Sequence, residues 1–96
     1  MPLVFEWDSR KAKANLRKHG VSFDEACTVF DSPLARIFPD EDHSNGEERE
    51  IIVGYSILDR LLLVSFVERS TDRVRIISAR KATRKEQEDY EENIGR

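Results

Sequence analysis

Five side chains have types that could do chemistry on an anion: His19 and Glu68 can transfer a proton, and Arg49, Arg69 and Arg80 can bind the negative charge. Histidine titrates near neutrality, so His19 can give or take a proton. His19 also closes a run of basic residues just before Gly20. There a cationic side chain meets the carbonyl end of a helix, and this capping role competes with a catalytic one. Glu68 and Arg69 end one expected strand, and Arg49 opens the strand before it, which brings the three together if those strands are antiparallel. The cluster reads either as an Arg49–Glu68 cross-strand ion pair or as a phosphate clamp with an acid at hand. Arg80 ends the following strand and falls at the opposite end of that pair. His43, in an acidic loop, reads as a surface or loop-ordering residue. Cys27 lies on an apolar helical stripe and reads as packing, because a nucleophilic thiol needs a base and exposure.

Other chemistries are excluded by what the chain lacks. It has no glycine-rich phosphate loop, no GxSxG elbow, no HExxH and no ligand cluster at metal spacing, so no metal or cofactor is expected. A single cysteine rules out an internal disulfide. Met1 to Trp7 lacks the pattern of a secretion signal, and the longest apolar stretch, Leu61 to Val64, is far too short to span a bilayer. The expectation is a cytoplasmic protein with no membrane contact.

Ninety-six residues, 39% hydrophobic and 36% charged, make one globular domain over residues 1–96. Its core is modest, so a partner chain or a second copy is a reasonable completion. The net charge of −3 argues at first against a nucleic-acid partner, but the charges are segregated. Residues 10–18 carry Arg10, Lys11, Lys13, Arg17 and Lys18 without an acid, and residues 69–85 hold seven basic residues against Asp72 alone. The acids gather in 40–50 and 86–92. Nucleic-acid affinity follows the local basic face, not the whole-chain total.

The elements that must position these residues are legible in part. Asp8 can cap a helix over residues 9–18, with Ala12 and Leu16 on one face, ending at Gly20. Ser22-Phe23-Asp24-Glu25 reads as a capping box before the stripe Phe23, Ala26, Cys27, Phe30. Four strands follow, near 35–38, 50–57, 60–68 and 73–80, and the short links at 58–60 and 70–72 make them antiparallel. The third, apolar on both faces, should be central. Thr83-Arg84-Lys85-Glu86 is a second capping box, opening a polar helix with Tyr90 and Ile94 as its apolar residues. The expected class is α+β: two N-terminal helices, a four-stranded antiparallel sheet and a C-terminal helix.

Several stretches together resemble the BrnT toxin family. They are Phe5-Glu6-Trp7-Asp8, Asn15 to Phe23 ("NLRKHGVSF"), Asp24-Glu25-Ala26, Asp42-His43-Ser44, Gly46 to Arg49, Glu68-Arg69, and Arg75 to Arg80 ("RIISAR") with Ala82-Thr83. The resemblance runs in order over residues 4–90. It implies a RelE-like fold, metal-independent endoribonuclease activity that inhibits translation and growth, and a BrnA-type antitoxin that represses the shared operon, so that operator DNA is met only through the antitoxin. It also implies cleavage by attack of a ribose 2′-hydroxyl on the adjacent phosphate. On that basis the arginines are assigned to the phosphate, His19 or Glu68 to acid–base work, and Lys11, Lys18, Arg75, Lys81 and Arg84 to RNA contacts. A non-catalytic protein- or nucleic-acid-binding module of the same fold is the alternative.

Overall fold

Local capping chemistry starts each helix of the computed structural model, which describes residues 3–40 and 47–93. The Asp8 carboxylate accepts from the amides of Arg10 (2.8 Å) and Lys11 (3.2 Å) and launches α1 (Ser9–His19). Gly20 ends it at φ 70°, donating its amide to the Leu16 carbonyl at 2.9 Å, a backbone conformation that favours glycine. Ser22 caps α2 (Phe23–Thr28) by accepting from the Glu25 amide at 3.0 Å. The expected return bond from Glu25 is not among the contacts that hold this carboxylate. Instead it turns inward to accept from Ser56 Oγ (2.6 Å) and Arg60 Nε (2.9 Å), fastening α2 to a strand hairpin. A 3-10 turn, Val29–Asp31, extends the apolar stripe to Phe30. The α3 helix (Arg84–Asn93) has the complete box: Glu86 N–H donates to Thr83 Oγ1 at 3.1 Å, and Thr83 N–H donates to Glu86 Oε1 at 2.8 Å.

The sheet has five strands, not four: β1 (Val4–Glu6), β2 (Arg36–Pro39), β3 (Arg49–Tyr55), β4 (Leu61–Ser70) and β5 (Arg73–Lys81), in the order β1-β5-β4-β3-β2. It is also mixed rather than antiparallel, because β1 runs parallel to β5 with Phe5 opposite Val74. Three residues are too short to display an alternating pattern, and the pairing partner lies near the other end of the chain, so this strand has no local signature. What seats it is aromatic packing, Phe5 edge-on to Phe30 at 5.1 Å. The remaining pairs are antiparallel hairpin neighbours, and β4 is central as its two apolar faces require.

The two faces of the sheet differ in cover. On the helix face, Phe23, Ala26 and Val29 meet Leu62, Val64 and Ile76, all essentially buried, and each large apolar side chain contributes about 2 kcal/mol of transfer energy. Gly54 lets the 3-10 turn and Ala35 sit against β3, since a Cβ there would meet Val29 Cγ1 at 3.1 Å and Ala35 Cβ at 3.0 Å. On the opposite face, α3 covers only one end. Tyr90 packs there with Val53 and Leu61, and its hydroxyl donates to the Leu34 carbonyl at 2.6 Å. Ile94, His43 and the Asp42–Ser44 and Gly46 parts of the sequence pattern lie outside the described residues. Among the described residues, no helix covers the rest of this face.

Candidate functional site

The open face acquires its arginines through an irregularity in β5. Ser78 stands opposite Ser65, but Ile76 stands opposite Phe66, so Ile77 is an extra residue and the alternation reverses across it. Val74 and Ile76 face the helices before the bulge, and Ala79 faces them after it. Strict alternation would put Arg75 and Arg80 on opposite faces. The bulge puts both on the open face, opposite Val67 and Leu63 of β4, with Ser78 between them. Arg49, opposite Val67 on the other side, joins the same face.

Asn15 positions the histidine. Because β1 pairs only with residues 73–75, the edge of β5 beyond them lacks a strand partner. The Asn15 side chain fills that role at Ala79: its Nδ2 donates to the Ala79 carbonyl at 2.8 Å, and its Oδ1 accepts from the Ala79 amide at 3.1 Å. A further bond to the Val21 carbonyl, at 2.9 Å, buries the amide group fully satisfied. His19 follows four residues later on the same helix face and reaches round the sheet edge. It lines a recess of about 90 Å³ with Ile51, Leu63, Ser65, Ser78 and Arg80.

Arg80 is not idle in this recess. Its guanidinium makes a two-pronged pair with Glu86, at 2.8 and 2.9 Å. That contact, reinforced by the bond from Thr83 N–H, pulls the Glu86 carboxyl down to about 2 and raises the Arg80 pKa. Sequence reading missed Glu86, Ser65, Ser78 and Asn15; the i, i+4 spacing of Asn15 and His19 was the one local signal.

The expected cluster at the other end divides. Arg49 lies close to Glu68 and Arg69 in register as foreseen, but Glu68 stands opposite Val74, which belongs to the helix-side core. Glu68 is therefore on the far face from Arg49 and Arg80, and on the order of 15 Å along the strand from the recess. That placement does not bring Glu68 to the recess. Arg69 is tied to Glu47 by an ion pair, and the surrounding hollow is lined by Glu47, Glu48, Glu50 and Glu68, a poor place for phosphate. Arg75 pairs with Glu6 at 3.3 Å, whose carboxyl is lowered chiefly by its bond to Arg73 and also by Arg75. Lys11, Lys18, Lys81 and Arg84 are exposed; Arg84 faces Glu88 at 3.8 Å. The Cys27 thiol is pushed up to about 11, first by burial and then by Asp24 and Asp31, as its packing role requires. Among the described residues no group of three His, Cys, Asp or Glu is placed to hold a metal, and no helix is long and apolar enough to cross a membrane.

A small α+β domain with two helices on one face of its sheet, a third over one end of the other face and arginines on the remainder is the class that this geometry defines. The chain belongs to the BrnT family, the ribonuclease toxins of type II toxin–antitoxin systems, whose family model matches residues 7–86. The crystal structure of the Brucella abortus ribonuclease toxin BrnT, at 1.1 Å resolution, has the same fold with a TM-score of 0.64. At 23% identity, the two align over 88% of this chain and 99% of that one. No curated protein matches the sequence.

Proposed function

We propose that this chain is a cytoplasmic endoribonuclease toxin that cuts RNA at the His19–Arg80 recess, inhibits translation and growth, and is neutralised by a BrnA-type antitoxin. The observation that carries this reading is the convergence of a histidine and an arginine in one recess of an uncovered strand face. Attack of a ribose 2′-hydroxyl on the neighbouring phosphate needs a base, an acid for the leaving 5′-oxygen and cations against the developing phosphorane charge. His19 supplies the imidazole that takes the 2′-hydroxyl proton and passes it to the leaving 5′-oxygen. Arg80 presents two parallel N–H donors to the phosphorane oxygens, after exchanging Glu86 for phosphate. Ser65 and Ser78 offer hydroxyl donors beside it, and Arg49 and Arg75 receive the flanking phosphates. Lys18 and Lys81 extend the basic track. Nothing in this scheme calls on a metal.

Incubating purified, antitoxin-free protein with a defined RNA tests it. The expected products end in a 2′,3′-cyclic phosphate and a 5′-hydroxyl; RNA left intact overturns it. The Arg80–Glu86 pair gives one specific ground for the second reading, a non-catalytic binding module, and harmless expression in a growing cell would favour that reading.

A further inference from the structure

We propose that a trough beside the Arg80 recess is a nucleobase subsite selecting guanine in single-stranded RNA; this rests on the ribonuclease reading above. The trough, about 310 Å³, lies between α3 and the open part of the sheet. Its floor is Phe38, Ile51, Val53 and Leu63, its α3 wall includes Glu86 and Asp89, and Arg36 borders it with its guanidinium bonded to the Asn93 carbonyl at 2.8 Å. Ile51 and Leu63 also line the recess that holds His19 and Arg80, so the two hollows are continuous. Two strand spacings, about 10 Å, separate the strand of Arg80 from that of Ile51. A nucleotide whose phosphate sits on Arg80 can thus lay a base over Ile51.

The chemistry of the two hollows is complementary to the two halves of a nucleotide. Arg80, His19 and two serines line the recess, where phosphate would sit. Beyond it the floor is apolar, and Phe38, half exposed on β2, presents a ring on which a base can stack. The carboxylates on the α3 wall would repel phosphate, yet they accept hydrogen bonds from base edges. With phosphate on Arg80, Glu86 is still held by the Thr83 amide, and Asp89, further along α3, is the carboxylate offered to the base. Guanine offers a carboxylate two adjacent donors, N1–H and the N2 amino group. Adenine and cytosine offer one amino group, and uracil flanks its single N–H with two carbonyl oxygens that a carboxylate repels. The acidic residues of α3 thereby act as a filter on the base.

The test uses short oligoribonucleotides carrying G, A, C or U at the centre, with a 2′-deoxy sugar there to prevent cleavage. Their binding by fluorescence anisotropy is compared for the wild type, Phe38→Ala and Asp89→Asn, beside cleavage-site mapping on a defined RNA. The wild type should bind the G-centred chain about tenfold tighter than the U-centred one, and Asp89→Asn should shrink this to less than about threefold. Phe38→Ala should weaken all four by about tenfold while keeping their order. Equal binding of the four bases, or an order unchanged in Asp89→Asn, overturns the subsite even if RNA is cut elsewhere. A G preference abolished in Asp89→Asn, without cleavage of any RNA, supports the subsite and removes the ribonuclease reading. If both variants bind oligonucleotides normally and instead lose affinity for the antitoxin, the trough is a protein-docking surface and the proposal fails.

Discussion

The two ends of β4 carry similar residue types to opposite effect. At one end Arg80 and His19 share a recess with two serines, and a lone carboxylate, Glu86, meets Arg80. At the other, Arg69 is surrounded by Glu47, Glu48, Glu50 and Glu68 and paired to the first of them. Both ends pair an arginine with an acid, but the first hollow is shared with a histidine and two serines and the second with four glutamates. Having an arginine and an acid side by side is therefore a weak sign of a site. The balance of charge around the pair and the face it occupies decide.

Paired substitutions at the two ends would break or sharpen this contrast. Arg80→Ala should lower the rate of RNA cleavage by about a hundred- to a thousandfold, the cost of losing one donor to a developing oxyanion. Glu68→Gln, on the other face, should change it less than about threefold; an equal loss in a cleavage assay would return the acid to the far end. Asn15→Ala should destabilise the fold by about 2–3 kcal/mol in denaturant titration, because it strands the Ala79 backbone pair, and should also cut activity as His19 loses its anchor. Wild-type stability with reduced activity would show that Asn15 acts otherwise.

Smaller effects are expected from Glu86. Glu86→Gln removes the carboxylate that competes with phosphate, and affinity for a non-cleavable oligonucleotide should rise about two- to fivefold. The same variant has an acid signature. With its folded pKa at about 2, below the usual 4.5, Glu86 binds fewer protons folded than unfolded. Its stabilisation is thus fully present above pH 4.5 and is lost as pH falls towards 2. Thermal melts of Glu86→Gln across that window should show a shallower decline than the wild type, and parallel curves would mean that the Arg80 contact is not formed in solution.

Much of this arrangement was legible because it is local. Asp8, Ser22 and the Thr83–Glu86 box place three helix starts, and the runs around Ile51, Leu62 and Ile76 place strands whose short hairpins leave little choice of partner. The parts that escaped depend on contacts distant in sequence. Leu16, which shares a face of α1 with Ala12, is half exposed, and the polar Asn15 is the buried one because β5 offers it a backbone pair. Glu25 looked like a cap and became the anchor of the Ser56–Arg60 hairpin. For the site, Arg49, Arg75 and Arg80 were visible as residue types, but their sharing of one face was not. One extra residue at Ile77 decides it, and no composition or periodicity marks where a strand will bulge.

The Asn15–Ala79 contact joins positions 64 residues apart. A chain emerging from a ribosome exposes α1 first, and the strand edge that seats it is added late. Until Ala79 has been synthesised and β5 has joined the sheet, His19 has no fixed place, and Arg80 has not yet been made. The recess is thus among the last features to be completed, which leaves a growing chain without the site proposed to cut RNA while it is still beside the RNA that encodes it.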